Sequence, residues 1–68
     1  MSPNPSLTPR ERDVLTFLTA GKTTREICRA LYLSEGTVKT HLTSIYRKLG
    51  VSNRTEAAIA GLRIGSER

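Results

Sequence analysis

The residues best equipped for chemistry lie between Glu35 and Leu49. There the cations Lys39, Arg47 and Lys48 are interleaved with the short hydroxyl side chains of Thr37, Thr40, Thr43 and Ser44, and no acidic residue follows Glu35 in this stretch. Lysine and arginine reach guanine acceptors or phosphates, and a threonine methyl can touch a thymine methyl. Catalysis has no comparable set. The chain holds no paired carboxylates at a plausible site, no Ser/His/Asp grouping and no glycine-rich phosphate loop, and Asp13 is its only aspartate. Cys28 and His41 are each the single residue of their type, so neither an internal disulfide nor an ordinary zinc site can be assembled from them. No enzyme activity, metal or cofactor is expected.

Those side chains need a scaffold, and the chain allows only a small one. Its 68 residues suffice for one domain, which at this size buries about 60% of the surface its unfolded chain exposes. Eleven Lys and Arg against six Asp and Glu give a net charge of +5 and a pI near 10.2. That balance suits a polyanionic partner, whether DNA, RNA or an anionic membrane surface, and does not choose among them. No apolar run approaches the ~20 residues of a membrane span, and the N-terminus lacks the pattern of a signal peptide. A lone cysteine fits a reducing compartment. The expected location is the cytoplasm.

Four amphipathic segments follow a Pro-containing lead-in over residues 1–6, which reads as disordered or as the end of a linker. Three of them open with a hydroxyl or amide residue followed three positions later by Glu: Thr8-Pro9-Arg10-Glu11, Thr23-Thr24-Arg25-Glu26 and Asn53-Arg54-Thr55-Glu56. This is the capping-box signature, and Pro9 sits where its missing N–H does no harm. The remaining segment opens at Ser34. Apolar residues then recur at helical spacing: Val14, Leu15, Phe17 and Leu18; Ile27, Cys28, Ala30 and Leu31; Val38, Leu42, Ile45 and Leu49; Ala57 to Ile64. Gly21, Gly50 and Gly65 supply stops. The pattern predicts an all-α domain over residues 7–65 with a short tail at 66–68, and helices at Pro9–Ala20, Thr24–Tyr32, Glu35–Leu49 and Arg54–Ile64.

The second and third helices are joined by little more than Leu33-Ser34, the geometry of a helix-turn-helix. Advancing the third helix by about 100° per residue gathers Val38, Leu42, Ile45 and Leu49 on one side. Gly36, Thr40, Thr43 and Arg47 fall opposite, with Lys39 at one edge and Thr37, Ser44 and Lys48 at the other. Short residues would let the backbone approach a major groove while the cations reach bases or phosphates. A merely solvated helix face has the same composition. Gly36 weighs slightly against that, because glycine costs ~1 kcal/mol relative to Ala in a helix interior.

At this point a family resemblance is carried by many positions in register. Leu7-Thr8-Pro9-Arg10-Glu11-Arg12-Asp13-Val14-Leu15, Gly21, Glu26-Ile27, Leu31, Leu33-Ser34-Glu35, Thr37-Val38-Lys39, His41, Ile45, Lys48-Leu49-Gly50-Val51 and Arg54-Thr55-Glu56-Ala57 resemble the LuxR-type helix-turn-helix. That module is the DNA-binding domain of NarL/FixJ response regulators in two-component systems and of quorum-sensing regulators. The resemblance implies double-stranded DNA as partner and the third helix as recognition helix, with Lys39, Thr40 and Thr43 facing base edges. It assigns phosphate contacts to Thr24, Arg25, Thr37, Arg47 and Lys48, and extends them to Arg54 and Lys22. It makes the fourth helix a dimer interface through Thr55, Ala58, Ile59 and Leu62. The chain departs from its relatives at Thr43, where a longer polar or basic residue is common. Regulators of this kind usually carry a receiver or sensing domain ahead of the module.

Other residues read more plainly. Cys28 falls where a small apolar residue is usual and is expected to be buried and inert. His41 is expected to pack or to bond a phosphate, and Tyr32 and Tyr46 to pack partly in the core. Ala57, Ala58, Ala60 and Gly61 permit close helix approach, either between protomers or onto the domain's own core. A competing function for the same fold is a protein-interaction module docking on RNA polymerase, as in a sigma factor.

Overall fold

The computed structural model describes residues 7–66, so the lead-in over residues 1–6 and the end of the expected tail lie outside the described residues. Within them the order is α1 (Pro9–Thr19), α2 (Thr24–Leu31), α3 (Glu35–Leu49) and α4 (Arg54–Ser66), with no strand. The all-α expectation holds. α1 packs on both α3 and α4, and α2 lies against α3.

Each start follows from a cap. Thr8 Oγ1 accepts from the Glu11 N–H at 3.1 Å while Glu11 Oε1 accepts from the Thr8 N–H at 2.9 Å. Thr23 and Glu26 repeat the exchange at 3.1 and 2.8 Å. Such reciprocal bonds satisfy two amides that a helix start leaves orphaned. α4 uses a shifted version. Asn53 Oδ1 accepts from the Glu56 N–H at 2.9 Å, but Glu56 Oε1 reaches back to the N–H of Ser52 at 2.8 Å. At α3, Ser34 Oγ accepts from the Thr37 N–H at 3.2 Å.

Three helices also end alike. After α1, α2 and α3 an amide bonds the carbonyl five residues back: Lys22 to Phe17 at 3.1 Å, Leu33 to Cys28 at 3.0 Å and Val51 to Tyr46 at 3.0 Å. This closure needs one left-handed residue. Gly21 (φ 81°) and Gly50 (φ 70°) supply it for α1 and α3, whereas α2 uses Tyr32 at φ 58°. The short helix-turn-helix link cannot reverse direction without that residue. The expected packing of Tyr32 is therefore corrected: α2 stops at Leu31 and the Tyr32 side chain is 94% exposed. α4 departs in the other direction, continuing through Gly65 to Ser66 rather than stopping at Ile64.

Val14, Leu15, Leu18, Ile27, Val38, Leu42, Ile45 and Ala57 form the core. Phe17, Cys28, Leu31, Tyr46, Leu49, Ala58 and Ile64 pack around it half-buried, so Tyr46 does pack as expected and Cys28 is less buried than expected. Gly61 settles the purpose of one small residue on α4. A Cβ there would meet Thr19 Cγ2 at 2.6 Å and Leu15 Cγ at 3.0 Å. Together with the fully buried Ala57, it lets α4 press onto the domain's own core.

Candidate nucleic-acid interface

α3 is anchored to the body by its inner stripe and by one charged group that sequence reasoning undervalued. The spacing of Glu11 from Thr8 marks it as a cap, and its carboxylate does close the α1 capping box. It is also only 5% exposed, and its Oε1 accepts from Lys48 Nζ at 2.8 Å across 37 positions of sequence. Burial alone would raise its pKa. Hydrogen bonds from Lys48, Ser44 and the Thr8 amide, with the Lys48 charge, outweigh that and lower it from an ordinary 4.5 to about 2. A carboxylate this well satisfied stays ionised and ties α1 to the C-terminal half of α3. No sequence spacing could reveal it, because only the packing of α1 on α3 brings residues 11, 44 and 48 together.

The opposite side of α3 is open. Gly36, Thr37, Lys39, Thr40, Thr43 and Arg47 are all exposed, and none of them serves the core. The Thr40 hydroxyl donates to the Gly36 carbonyl at 2.9 Å, and the Thr43 hydroxyl to that of Lys39 at 3.1 Å. Ser34 donates to the Thr37 hydroxyl at 3.0 Å. The three candidate base-contacting positions, Lys39, Thr40 and Thr43, therefore share one solvent-facing surface.

The seven candidate phosphate-contacting residues divide in two. Lys22, Arg25, Thr37 and Arg47 are exposed. Thr24, Lys48 and Arg54 are half-buried with internal partners. Arg54 Nη1 donates to Thr24 Oγ1 at 3.0 Å and its Nη2 to the Lys22 carbonyl at 2.7 Å, which fixes the start of α4 against the loop before α2. Lys48 is held by Glu11. At the start of α2 the exposed Glu26 carboxylate is held below its ordinary range mainly by the Thr23 N–H. His41 is half-buried on the flank of the inner stripe.

Of the candidate dimer residues on α4, Thr55, Ile59 and Leu62 are exposed, the last two at 50% and 57%. Ala58 is half-buried and packs against the core. Among the described residues no group of three His, Cys, Asp or Glu side chains is placed to hold a metal ion, and no helix is long and apolar enough to cross a membrane.

A short turn between α2 and α3, with the longer helix presenting a cationic outer face, defines a helix-turn-helix DNA-binding domain. Residues 5–60 match the family described as bacterial regulatory proteins, luxR family. The chain belongs to that family. It is 57% identical over 54 residues to YhjB of Escherichia coli (strain K12), whose name places it among HTH-type transcriptional regulators; the match covers 79% of this chain and 27% of YhjB. It is 46% identical over 61 residues to the spore germination protein GerE of Bacillus subtilis (strain 168), covering 90% of this chain and 82% of GerE. The DNA-binding domain of the response regulator ComA, solved in complex with the anti-activator RapF, superposes with a TM-score of 0.77 at 45% identity. That likeness covers 81% of this chain and 95% of the ComA domain. The chain thus spans about a quarter of YhjB but most of GerE.

Proposed function

We propose that this domain is the output module of a bacterial transcription regulator, binding double-stranded DNA with α3 in the major groove. The observation that carries the reading is the outer face of α3. Gly36, Lys39, Thr40, Thr43 and Arg47 are exposed together on a helix whose inner side is fully used by the fold. Lys39, Thr40 and Thr43 read base edges. Phosphates are held by Lys22, Arg25, Thr37 and Arg47, with Thr24, Arg54 and Lys48 contributing from their anchored positions. The amides at the start of a helix also favour a phosphate. Two protomers pair on DNA through the exposed Thr55, Ile59 and Leu62, with Ala58 beneath. Likeness to a response-regulator domain supports a place in a two-component system, and the cytoplasm as its location.

Selection of bound duplexes from a random library tests this reading. Paired half-sites support pairing of protomers on DNA, and the absence of any preferred sequence counts against base reading. On the selected duplex, Lys39→Ala is expected to weaken and relax specific binding. Affinity itself should fall steeply with salt, because phosphate contacts release counterions.

The second reading, a protein-docking module for RNA polymerase or another regulator, is favoured by one observation: the similar ComA domain was solved bound to a protein. Salt-insensitive or absent DNA binding together with capture of a protein partner would favour it.

A further inference from the structure

Building on the DNA-reading role above, we infer that α3 selects its sequence through the methyl groups of Thr40 and Thr43, seated against thymine 5-methyl groups, rather than through threonine hydroxyl bonds. A threonine hydroxyl carries one proton. At Thr40 it is given to the Gly36 carbonyl at 2.9 Å, and at Thr43 to the Lys39 carbonyl at 3.1 Å. With that proton so used, neither side chain donates to N7 or O6 of guanine, N7 of adenine or O4 of thymine, and the hydroxyl oxygen keeps only a lone pair for an adenine or cytosine amino group. Both hydroxyls are folded back along the helix onto the preceding turn, which leaves the γ-methyl as the other group each exposed side chain can offer. Thymine offers the one apolar group in the major-groove code, its 5-methyl.

Two further observations agree. Thr37, at the edge of the same face, pairs its hydroxyl with that of Ser34 at 3.0 Å instead of with a carbonyl of the preceding turn. The base-facing pair and the edge threonine are thus chemically different although the residue type is the same. Beside Thr40, Gly36 leaves a gap that the protein itself does not need. A Cβ there would come no closer than 4.0 Å to Ser34 Oγ, so the fold itself does not require glycine at this position. Three residues of helix advance about 4.5 Å, close to the ~3.4 Å rise per base pair along one strand. The preferred half-site therefore carries thymines at neighbouring steps, read by methyl contact, with Lys39 beside them available to a guanine.

The test uses the full chain and its selected duplex. Each dT is replaced in turn by dU, which removes only the 5-methyl, and affinities are measured for the native chain and for Thr40→Val, Thr40→Ser, Thr43→Val and Thr43→Ser. At one or two thymines dU should weaken native binding about fourfold, the worth of one buried methyl. The Val variants keep the γ-methyl and should keep the dU penalty at the same thymines, whatever their overall affinity. The Ser variants keep the hydroxyl and lose the methyl; they should bind about fourfold more weakly and no longer distinguish dT from dU. Circular dichroism checks that each variant folds, as expected for exposed positions. Indifference to dU, or loss of the dU penalty with Val and not with Ser, overturns the inference while leaving DNA reading intact. Failure of the native chain to bind any duplex in a salt-sensitive way overturns both.

Discussion

The two faces of α3 stand in opposite relations to the rest of the chain. On the inner face Val38 and Ile45 are wholly buried, Leu42 nearly so, and Lys48 is tied to the buried carboxylate of Glu11. On the outer face Gly36, Thr40, Thr43 and Arg47 are exposed, and the hydroxyls of Thr40 and Thr43 bond carbonyls of their own helix. Apart from Lys48, which is assigned to both, one helix thus separates what holds the domain together from what it offers to a partner. Stability and recognition should respond to different substitutions only a residue or two apart in sequence.

The sharpest break of that separation would come from the core. Ile45→Ala should cost about 2–5 kcal/mol in urea unfolding, the range for truncating a fully buried aliphatic side chain; a loss under about 1 kcal/mol would mean the inner face is not the anchor. Glu11→Gln comes next. It removes the charge facing Lys48 and should cost about 1–3 kcal/mol at neutral pH. Because the folded pKa of Glu11 lies near 2 against an ordinary 4.5, its contribution is complete above pH 4.5 and is lost as pH falls towards 2. The native domain should therefore lose stability across that window, and Glu11→Gln should flatten the loss. Arg47→Ala should leave stability within about 0.5 kcal/mol. It should weaken binding to specific and random duplexes alike and reduce the salt slope by about 1. A large drop in Tm with unchanged binding would merge the two faces. A further small effect is a gain: Tyr32→Gly relieves a left-handed tyrosine that is 94% exposed, and should add about 0.5–1 kcal/mol.

The same contrast separates what the sequence discloses from what it hides. Local signals were readable because their causes are local. The Thr-x-x-Glu pairs became reciprocal caps, the apolar stripe of α3 became its buried side, and the polar face opposite remained exposed. Readings failed where the deciding partner lies far along the chain or where a turn overrides residue type. Glu11 reads the same whether its carboxylate caps one helix or ties down another, since Lys48 stands 37 positions away. Tyr32 looks like core by composition, yet the turn required a left-handed residue and no glycine stood there to announce it. Gly65 reads as a stop, but a helix tolerates glycine at about 1 kcal/mol. The small residues of α4 leave two partners open, and only the crowding a Cβ at position 61 would meet, 2.6 Å from Thr19 Cγ2, shows that Gly61 serves the domain's own core.

The most direct measurement is a titration of the 15N-labelled chain with its selected duplex, followed amide by amide. Shifts should concentrate at Gly36, Lys39, Thr40, Thr43 and Arg47, with weaker ones at the start of α2. Saturation with those α3 amides unmoved, and shifts confined to another surface, would contradict the account.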